Sequence, residues 1–196
     1  MVIGLTGNYG MGKSYVMSVF RELGAMVLDS DDIVDQLLQD RRVILKIRKI
    51  LGSGVERDDG TLDKGEVAKI IFNNSKLRRK LEVLLHPMVF AGVEAILGNI
   101  KGKSRLAIVE VPLLFEGGYQ YRFDRTISVF TTQKAALERL MKAGVSRSNA
   151  MKRLRAQLPA RIKKKLADYV IDNNGTKQRT RRQVEKIYQQ LLEEMP

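Results

Sequence analysis

The chain has 196 residues, which fits one domain with an inserted subdomain, and its 35 Lys and Arg against 22 Asp and Glu give a formal net charge of +13. Cysteine is absent, which excludes disulfides and thiolate metal sites and fits a reducing cytoplasm. No run approaches the roughly eighteen uninterrupted apolar residues of a membrane helix, and the N-terminus shows no secretory signal, so we expect a cytoplasmic protein without a membrane partner.

The first predicted element is a buried strand, Val2–Thr6, which a glycine-rich segment follows. Gly7 and Gly12 bracket four residues and lead into Lys13 and Ser14, which is the phosphate-loop spacing G-x-x-x-x-G-K-[ST]. Helical periodicity then begins, so the motif lies between a strand and a helix, as the phosphate loop requires. The sequence therefore predicts a nucleoside triphosphate site in which loop amides and the Lys13 ammonium hold the phosphates and the Ser14 hydroxyl binds Mg²⁺.

The second strand, Met26–Asp29, opens the acidic segment "LDSDD". Ligands of open α/β sheets bind beyond the carboxyl ends of the strands, so two carboxylates here would face the triphosphate. Residues two apart in an extended segment point the same way, which predicts that Asp29 and Asp31 both face the cleft. We expect Asp29 to serve Mg²⁺ or orientation and Asp31 to accept a proton from an attacking hydroxyl, whereas Ser30 and Asp32 are ordinary helix caps.

The third predicted strand, Leu106–Val111, contains Glu110, and an acid at the end of an apolar strand is the usual second partner of a phosphate loop. We expect Glu110 to reach Mg²⁺ directly or through water. The following "PLLFE" is predicted to turn outward with apolar side chains that need a ligand or a partner to cover them.

The other predicted elements alternate in type, and this alternation indicates an α/β fold with a parallel sheet covered on both faces. The section from residue 43 to 100 has no convincing strand, which predicts a helical insertion. The further predicted strands are Thr126–Phe130 and Tyr169–Ile171. The predicted helices are Ser14–Leu23, Asp32–Leu38, Val43–Leu51, Lys64–Phe72, Lys76–Leu85, Met88–Ile100, Lys134–Ala143, Arg147–Leu158 and Arg181–Glu194.

Basic residues are concentrated between Arg139 and Ala167, where ten Lys and Arg occur without an acid. Such a segment favours a polyanion, either nucleic acid or a small molecule with several phosphates, although most of these side chains are expected on a solvated surface. The segment has no Phe, Tyr or Trp for base stacking, which argues against a nucleic-acid-binding ATPase. No N-K-x-D occurs, which argues against a GTPase. A nucleoside monophosphate kinase stays open as an alternative.

Several motifs together resemble one family. They are "IGLTGNYGMGKS", "VLDSDDI", "LLHP" at 84–87, "VPLLFE" at 111–116, and "RLRAQLP" followed by "ADYVIDNNG". In order and extent they are similar to the dephospho-coenzyme A kinases. The resemblance implies a phosphate-loop NTPase fold with a five-stranded parallel core (1–42, 104–133, 166–196), a helical substrate domain (43–103) and a helical lid (134–165). It also implies ATP-dependent phosphorylation of the ribose 3′-hydroxyl of dephospho-CoA. We expect a monomer or a small homo-oligomer.

The resemblance also implies roles for individual residues. Asp31 would lie near the accepting hydroxyl, the arginines Arg139 and Arg153 would reach the phosphates from the lid, and Asn173 and Gly175 would lie near the adenine. The phosphate site would comprise Gly7, Asn8, Tyr9, Gly10, Met11, Gly12, Lys13, Ser14 and Tyr15. The substrate site would comprise His86, Pro87, Leu113, Leu114, Phe115 and Glu116.

Two positions depart from the family pattern, and one residue has a second interpretation. Tyr15 replaces a threonine whose hydroxyl would contact the α-phosphate, and Ala143 replaces a lid arginine. His86, the single histidine of the chain, is predicted either to bind substrate or to fix a helix junction before Pro87.

Overall fold

The computed structural model describes residues 1–98 and 106–195. The predicted helix end at Ile100 and the predicted domain boundary at 103–104 lie outside the described residues.

Five parallel strands form one sheet in the order β2-β3-β1-β4-β5, which confirms the predicted α/β fold. The strands are β1 (Val2–Thr6), β2 (Met26–Asp29), β3 (Ala107–Glu110), β4 (Arg125–Phe130) and β5 (Tyr169–Asp172). The chain passes from β1 to β2 on one side of the sheet, and later from β3 across β1 to β4 on the other. The carboxyl end of the central strand β1 therefore lies at the topological switch point, where open sheets bind ligands.

Nine α-helices occur in the described part of the chain. They are α1 (Lys13–Glu22), α2 (Ser30–Leu37), α3 (Arg41–Leu51), α4 (Lys64–Asn73), α5 (Ser75–Gly98), α6 (Gln133–Lys142), α7 (Arg147–Arg155), α8 (Ala160–Leu166) and α9 (Lys177–Glu193). Short 3₁₀ turns span Ser53–Val55 and Gln120–Arg122. Several helices begin at a side-chain cap, as where the Thr132 hydroxyl accepts from the Ala135 amide.

The chain divides into two compact units. The first unit comprises Met1–Asp29 and Gly102–Pro196 and contains the sheet; the second, Ser30–Lys101, is helical. In the first unit, fully buried strand residues such as Ile3, Ile108 and Ile127 pack with Phe20 of α1 and Val184 of α9. The second unit has its own core, in which residues of α3 and α4 pack with Leu81 of α5.

The second unit starts earlier than the predicted insertion at residue 43, because α2 packs on α5. The predicted lid, residues 134–165, is not set apart as a unit of its own.

The local structure differs from the sequence-based prediction at three places. The predicted helices Lys76–Leu85 and Met88–Ile100 are one helix, α5, which continues through Pro87. Helix α8 was not predicted, because its three consecutive lysines obscure any apolar stripe. The segment after Asp29 is not extended, since α2 begins at Ser30 and already contains Asp31.

Within the described residues, one helix, α5, is long and apolar enough to cross a membrane by length and composition. Length and composition alone are weak evidence, because core helices pass the same test. Helix α5 contributes Leu81, Val89, Phe90 and Val93 to buried positions.

Candidate active site

The phosphate loop lies between β1 and α1, at the switch point of the sheet. Gly10 (φ 79°) and Gly12 (φ 86°) have the left-handed backbone that side chains rarely adopt. A Cβ on Gly12 would also lie 2.2 Å from the Asn173 amide nitrogen, so the position has no room for one. Gly12 precedes α1 without a side-chain cap, which leaves the first amides of α1 to bind an anion.

Acidic residues end the two strands on one side of this loop. Asp29 of β2 and Glu110 of β3 are register partners, and Glu110 also pairs with Leu5 of β1. The Lys13 ammonium nitrogen lies 3.4 Å from Glu110 Oε1, and both side chains are largely buried. The structure thus brings Lys13 and two predicted metal ligands to the same edge of the sheet, next to Ser14 at the start of α1.

Both predicted lid arginines lie beside the loop. Arg139 Nη2 donates to the Asn173 carbonyl (2.7 Å). Its Nη1 lies next to Gly12, since a Cβ added to this glycine would be 3.4 Å from it. The guanidinium carbon of Arg153 lies 4.9 Å from the centre of the Tyr9 ring. Together with Lys13 they surround the loop with positive charge.

Asn173 was predicted to lie near the adenine. In the structure its side chain is held by hydrogen bonds within the protein, which were not predicted. It is buried, its Nδ2 donates to the Met11 carbonyl (2.8 Å), and its Oδ1 accepts from the Thr180 hydroxyl (2.8 Å). The side chain therefore ties the turn after β5 to the phosphate loop. Gly175 lies exposed in the same turn.

The side chain of Tyr15, which is larger than the threonine of the family pattern, contacts Lys177 within the first unit. Its hydroxyl donates to the Lys177 carbonyl (3.0 Å), and the Lys177 ammonium lies 5.6 Å from its ring centre. This residue thus connects α1 to the start of α9.

The segment after β3 is more enclosed than its composition predicted. Leu114 and Phe115 are buried inside the first unit, whereas Leu113 is 41% exposed. The expectation that all these apolar side chains point outward was therefore wrong. Glu116 Oε1 lies 2.8 Å from the Lys163 ammonium and accepts from the Leu158 amide (2.9 Å).

Lys163 was missed by sequence reasoning. It is one of the ten basic residues between Arg139 and Ala167, most of which are expected on a solvated surface, yet its side chain is fully buried. Burial lowers the pKa of Lys163, the ion pair with Glu116 opposes this, and the charge of Lys13 adds to the lowering. Residue type gives no signal for this role, because Lys164 and Lys165 are exposed neighbours.

The remaining predicted site residues belong to the second unit. Asp31 is exposed in the first turn of α2. His86 and Pro87 lie inside α5, so His86 does not fix a helix junction. Burial lowers the pKa of the half-buried His86, which the nearby Glu82 charge partly opposes.

Comparisons with known proteins agree with one another. The family model described as dephospho-CoA kinase matches residues 1–179. The dephospho-CoA kinase of Aquifex aeolicus is 37% identical over 190 residues, which cover 96% of each chain. That of Geobacillus kaustophilus is 35% identical and covers 97% of this chain and 96% of its own.

Solved structures show the same fold. TT1252 from Thermus thermophilus has a TM-score of 0.85 at 29% identity and covers 100% of this chain and 98% of its own. A dephospho-CoA kinase from Campylobacter jejuni, at 22% identity and a TM-score of 0.62, covers 97% of this chain and 96% of its own.

Proposed function

Because the chain belongs to the dephospho-CoA kinase family, we propose that it transfers the γ-phosphoryl group of ATP to the ribose 3′-hydroxyl of dephospho-CoA, giving CoA and ADP. This is the last step of coenzyme A biosynthesis. The observation that carries the proposal is the cation-lined phosphate loop, with Lys13, Arg139 and Arg153 around Gly7–Gly12, in a chain that matches the family over residues 1–179.

The triphosphate binds to the loop through backbone amides, and the cations neutralise its charge. Phosphoryl transfer depends mainly on positioning and charge stabilisation, and this chain supplies both from residues next to one another. Lys13 contacts the terminal phosphates, and Arg139 and Arg153 stabilise charge on the group in transfer. The adenine lies by the turn that contains Gly175, which Asn173 holds in place.

Mg²⁺ fits the residues at this edge of the sheet. The ion prefers oxygen ligands and is typically held by one or two carboxylates plus the substrate phosphates. Ser14, Asp29 and Glu110 would hold it, and their oxygens are of the required kind. No group of three or more His, Cys, Asp or Glu side chains that could hold a metal ion occurs in residues 1–98 and 106–195, so the phosphates would complete its coordination. Bound Mg²⁺ neutralises negative charge on the phosphates.

In this proposal the first unit contributes the segment after β3 to acceptor binding. Leu113 offers an exposed apolar side chain, and Leu114 and Phe115 form the buried support behind it. Glu116, the last predicted substrate residue of this segment, is held by the Lys163 ammonium and the Leu158 amide. The other predicted substrate residues, His86 and Pro87, lie in α5 of the second unit.

Asp31 accepts the proton of the attacking hydroxyl. A ribose hydroxyl is a weak nucleophile at neutral pH, and a carboxylate assists as its proton leaves. The support is the position of Asp31, two residues after β2 ends at the ligand-binding edge of the sheet. Asp31→Asn keeps the size and removes the base, so we expect turnover to fall roughly 10²- to 10⁴-fold with ATP affinity unchanged. A loss confined to ATP affinity would make Asp31 a metal ligand instead.

The test of the function is a direct assay. Purified protein is incubated with ATP, Mg²⁺ and dephospho-CoA, and both ADP and the 3′-phosphorylated product are measured. Nucleoside monophosphates are run in parallel as acceptors. Phosphorylation of dephospho-CoA alone is the expected result, whereas transfer to a nucleoside monophosphate would refute the proposed acceptor. A cytoplasmic location is part of the proposal, and the lack of cysteine supports it.

A further inference from the structure

Lys163 has a position that the proposed reaction does not explain. It is the first of three lysines on α8 and has no exposed side-chain surface. A buried ammonium is costly unless it is paired and hydrogen-bonded. Its nitrogen lies 2.8 Å from Glu116 Oε1 and donates to the Pro112 carbonyl at 2.7 Å. Both partners belong to the segment after β3.

These contacts continue toward the phosphate loop. Glu116 Oε1 also accepts from the Leu158 amide at 2.9 Å, and the Leu158 carbonyl accepts from Asn8 Nδ2 at 2.9 Å. We call Pro112, Glu116, Leu158 and Lys163 the Lys163 cluster. It reaches the second residue of the loop through hydrogen bonds alone.

Two more hydrogen bonds join the same elements. The Tyr9 amide donates to Gln157 Oε1 at 2.9 Å, next to the Leu158 contact. The Thr6 hydroxyl donates to the Pro112 carbonyl at 3.1 Å, so the last residue of β1 is tied to the cluster as well. The cluster is therefore connected to the chain on both sides of Gly7.

Burial shields part of this arrangement from water. Asn8 is 4% exposed and the Lys163 side chain is fully buried, so little water reaches these two side chains to compete for their hydrogen bonds. Burial lowers the pKa of Lys163, Glu116 opposes this, and the charge of Lys13 adds to the lowering.

We propose that Lys163 is a positioning residue for ATP: through Glu116 and the main chain of Leu158 it holds Asn8 and Tyr9 in the geometry that binds the phosphates. The inference rests on the proposed function only for the identity of the nucleotide. It predicts that changes in the Lys163 cluster alter ATP binding even when no acceptor is bound.

Three variants test the proposal. Lys163→Met keeps most of the side-chain length and removes the charge. Lys163→Met/Glu116→Gln removes both charges, so no unpaired ion stays buried. Lys165→Met is the matched control, because Lys165 is an exposed lysine on the same helix. Thermal unfolding and binding of the non-hydrolysable ATP analogue adenylyl imidodiphosphate with Mg²⁺ are measured for each, without acceptor.

We expect Lys163→Met to lower the melting temperature and to weaken analogue binding. The double variant should regain most of the melting temperature but still bind the analogue about 10- to 100-fold more weakly, because the hydrogen bonds to charged groups are lost. Lys165→Met should behave as the wild type. Recovery of both stability and affinity in the double variant would overturn the proposal, since the pair would then be only structural.

A second measurement covers the case in which the double variant does not fold. Asn8→Ala removes the link between loop and cluster and leaves both charges in place. In Asn8→Ala, hydrogen exchange at the Leu158 amide should be faster than in the wild type, although its acceptor Glu116 is unchanged. Binding of the analogue should also be weaker than in the wild type. Wild-type exchange and affinity in Asn8→Ala would overturn the proposal. If wild-type protein binds the analogue but does not phosphorylate dephospho-CoA, the acceptor assignment fails and the Lys163 inference stands.

Discussion

The two compact units of the molecule place their ion pairs differently. In the first unit, the pairs Lys13–Glu110 and Lys163–Glu116 have side chains no more than 17% exposed. In the second unit, every described ion pair has at least one side chain that is 46% exposed or more, as in Lys64–Asp35. Exposed pairs contribute about 0–1 kcal/mol, whereas removal of one partner of a buried pair is costly. The first unit also has exposed pairs, such as Arg125–Glu194, so the two units differ in that only the first, among the described residues, adds buried pairs, and these lie at the phosphate loop and behind it.

The largest expected effect is at Lys13. Lys13→Ala removes a placed cation from the triphosphate, so we expect turnover to fall about 10²- to 10³-fold or more, with the melting curve of the wild type. Steady-state kinetics and circular dichroism check both parts. Lys64→Ala, from an exposed pair of the second unit, is the control. Full activity in Lys13→Ala would refute the phosphate-loop interpretation.

The next effect concerns stability. Lys163→Met leaves Glu116 charged and partly buried, so we expect the free energy of unfolding to fall by about 3–5 kcal/mol. Lys64→Met breaks an exposed pair and should change the urea midpoint little. Urea denaturation of both variants measures the contrast. Similar shifts in the two would mean that burial does not distinguish the ion pairs of the two units.

A smaller effect on turnover is expected for the arginines. Arg139→Ala and Arg153→Ala each remove a charged donor near the loop, which should lower turnover about 10- to 100-fold and weaken acceptor binding less. Lys165→Ala is the better control on the basic segment, because Lys164 lies over the Phe130 ring at 5.1 Å. Equal losses at all three positions would indicate diffuse electrostatic attraction and not placed contacts.

The smallest effect is a pH dependence in the second unit. Burial lowers the pKa of His86, so the unfolded chain binds that proton more tightly than the folded chain does. Protonation therefore favours unfolding, and stability should fall slightly as the pH drops through the ordinary histidine pKa of about 6.5. Urea midpoints from pH 7.5 to 5 should show a weaker decline in His86→Gln. An identical decline in the variant would assign it to other groups.

Local signals made the nucleotide core predictable. The bounds of β1 and β2 match the predicted strands, and α1 begins one residue before its prediction. A short apolar run, a glycine spacing and a helical period suffice for these elements, because each depends on neighbours in sequence. The position of Glu110 at a strand end near the phosphate loop was also predicted from the strand pattern, whereas its ion pair with Lys13 was not.

Long-range packing decided the elements that were mispredicted. A proline inside a helix costs roughly 3 kcal/mol, which predicted a break at Pro87. The helix continues because Leu84, Leu85 and Met88 pack on the same core, and that burial can offset the cost. On α8, hydropathy points the wrong way: Lys163 is buried and Leu166 is 54% exposed. No local pattern predicts this reversal, since the partner Glu116 is 47 residues away in sequence.

The contact at Leu158 consists entirely of main-chain groups, and this has a consequence for sequence variation. Its amide and carbonyl make both hydrogen bonds, so most side chains at this position would preserve the link. Proline is the exception, because it has no amide hydrogen to donate. A saturation mutagenesis library selected for growth should therefore record position 158 as tolerant to all but proline, between intolerant positions 116 and 163. A residue on which the phosphate loop depends would look dispensable in such a map.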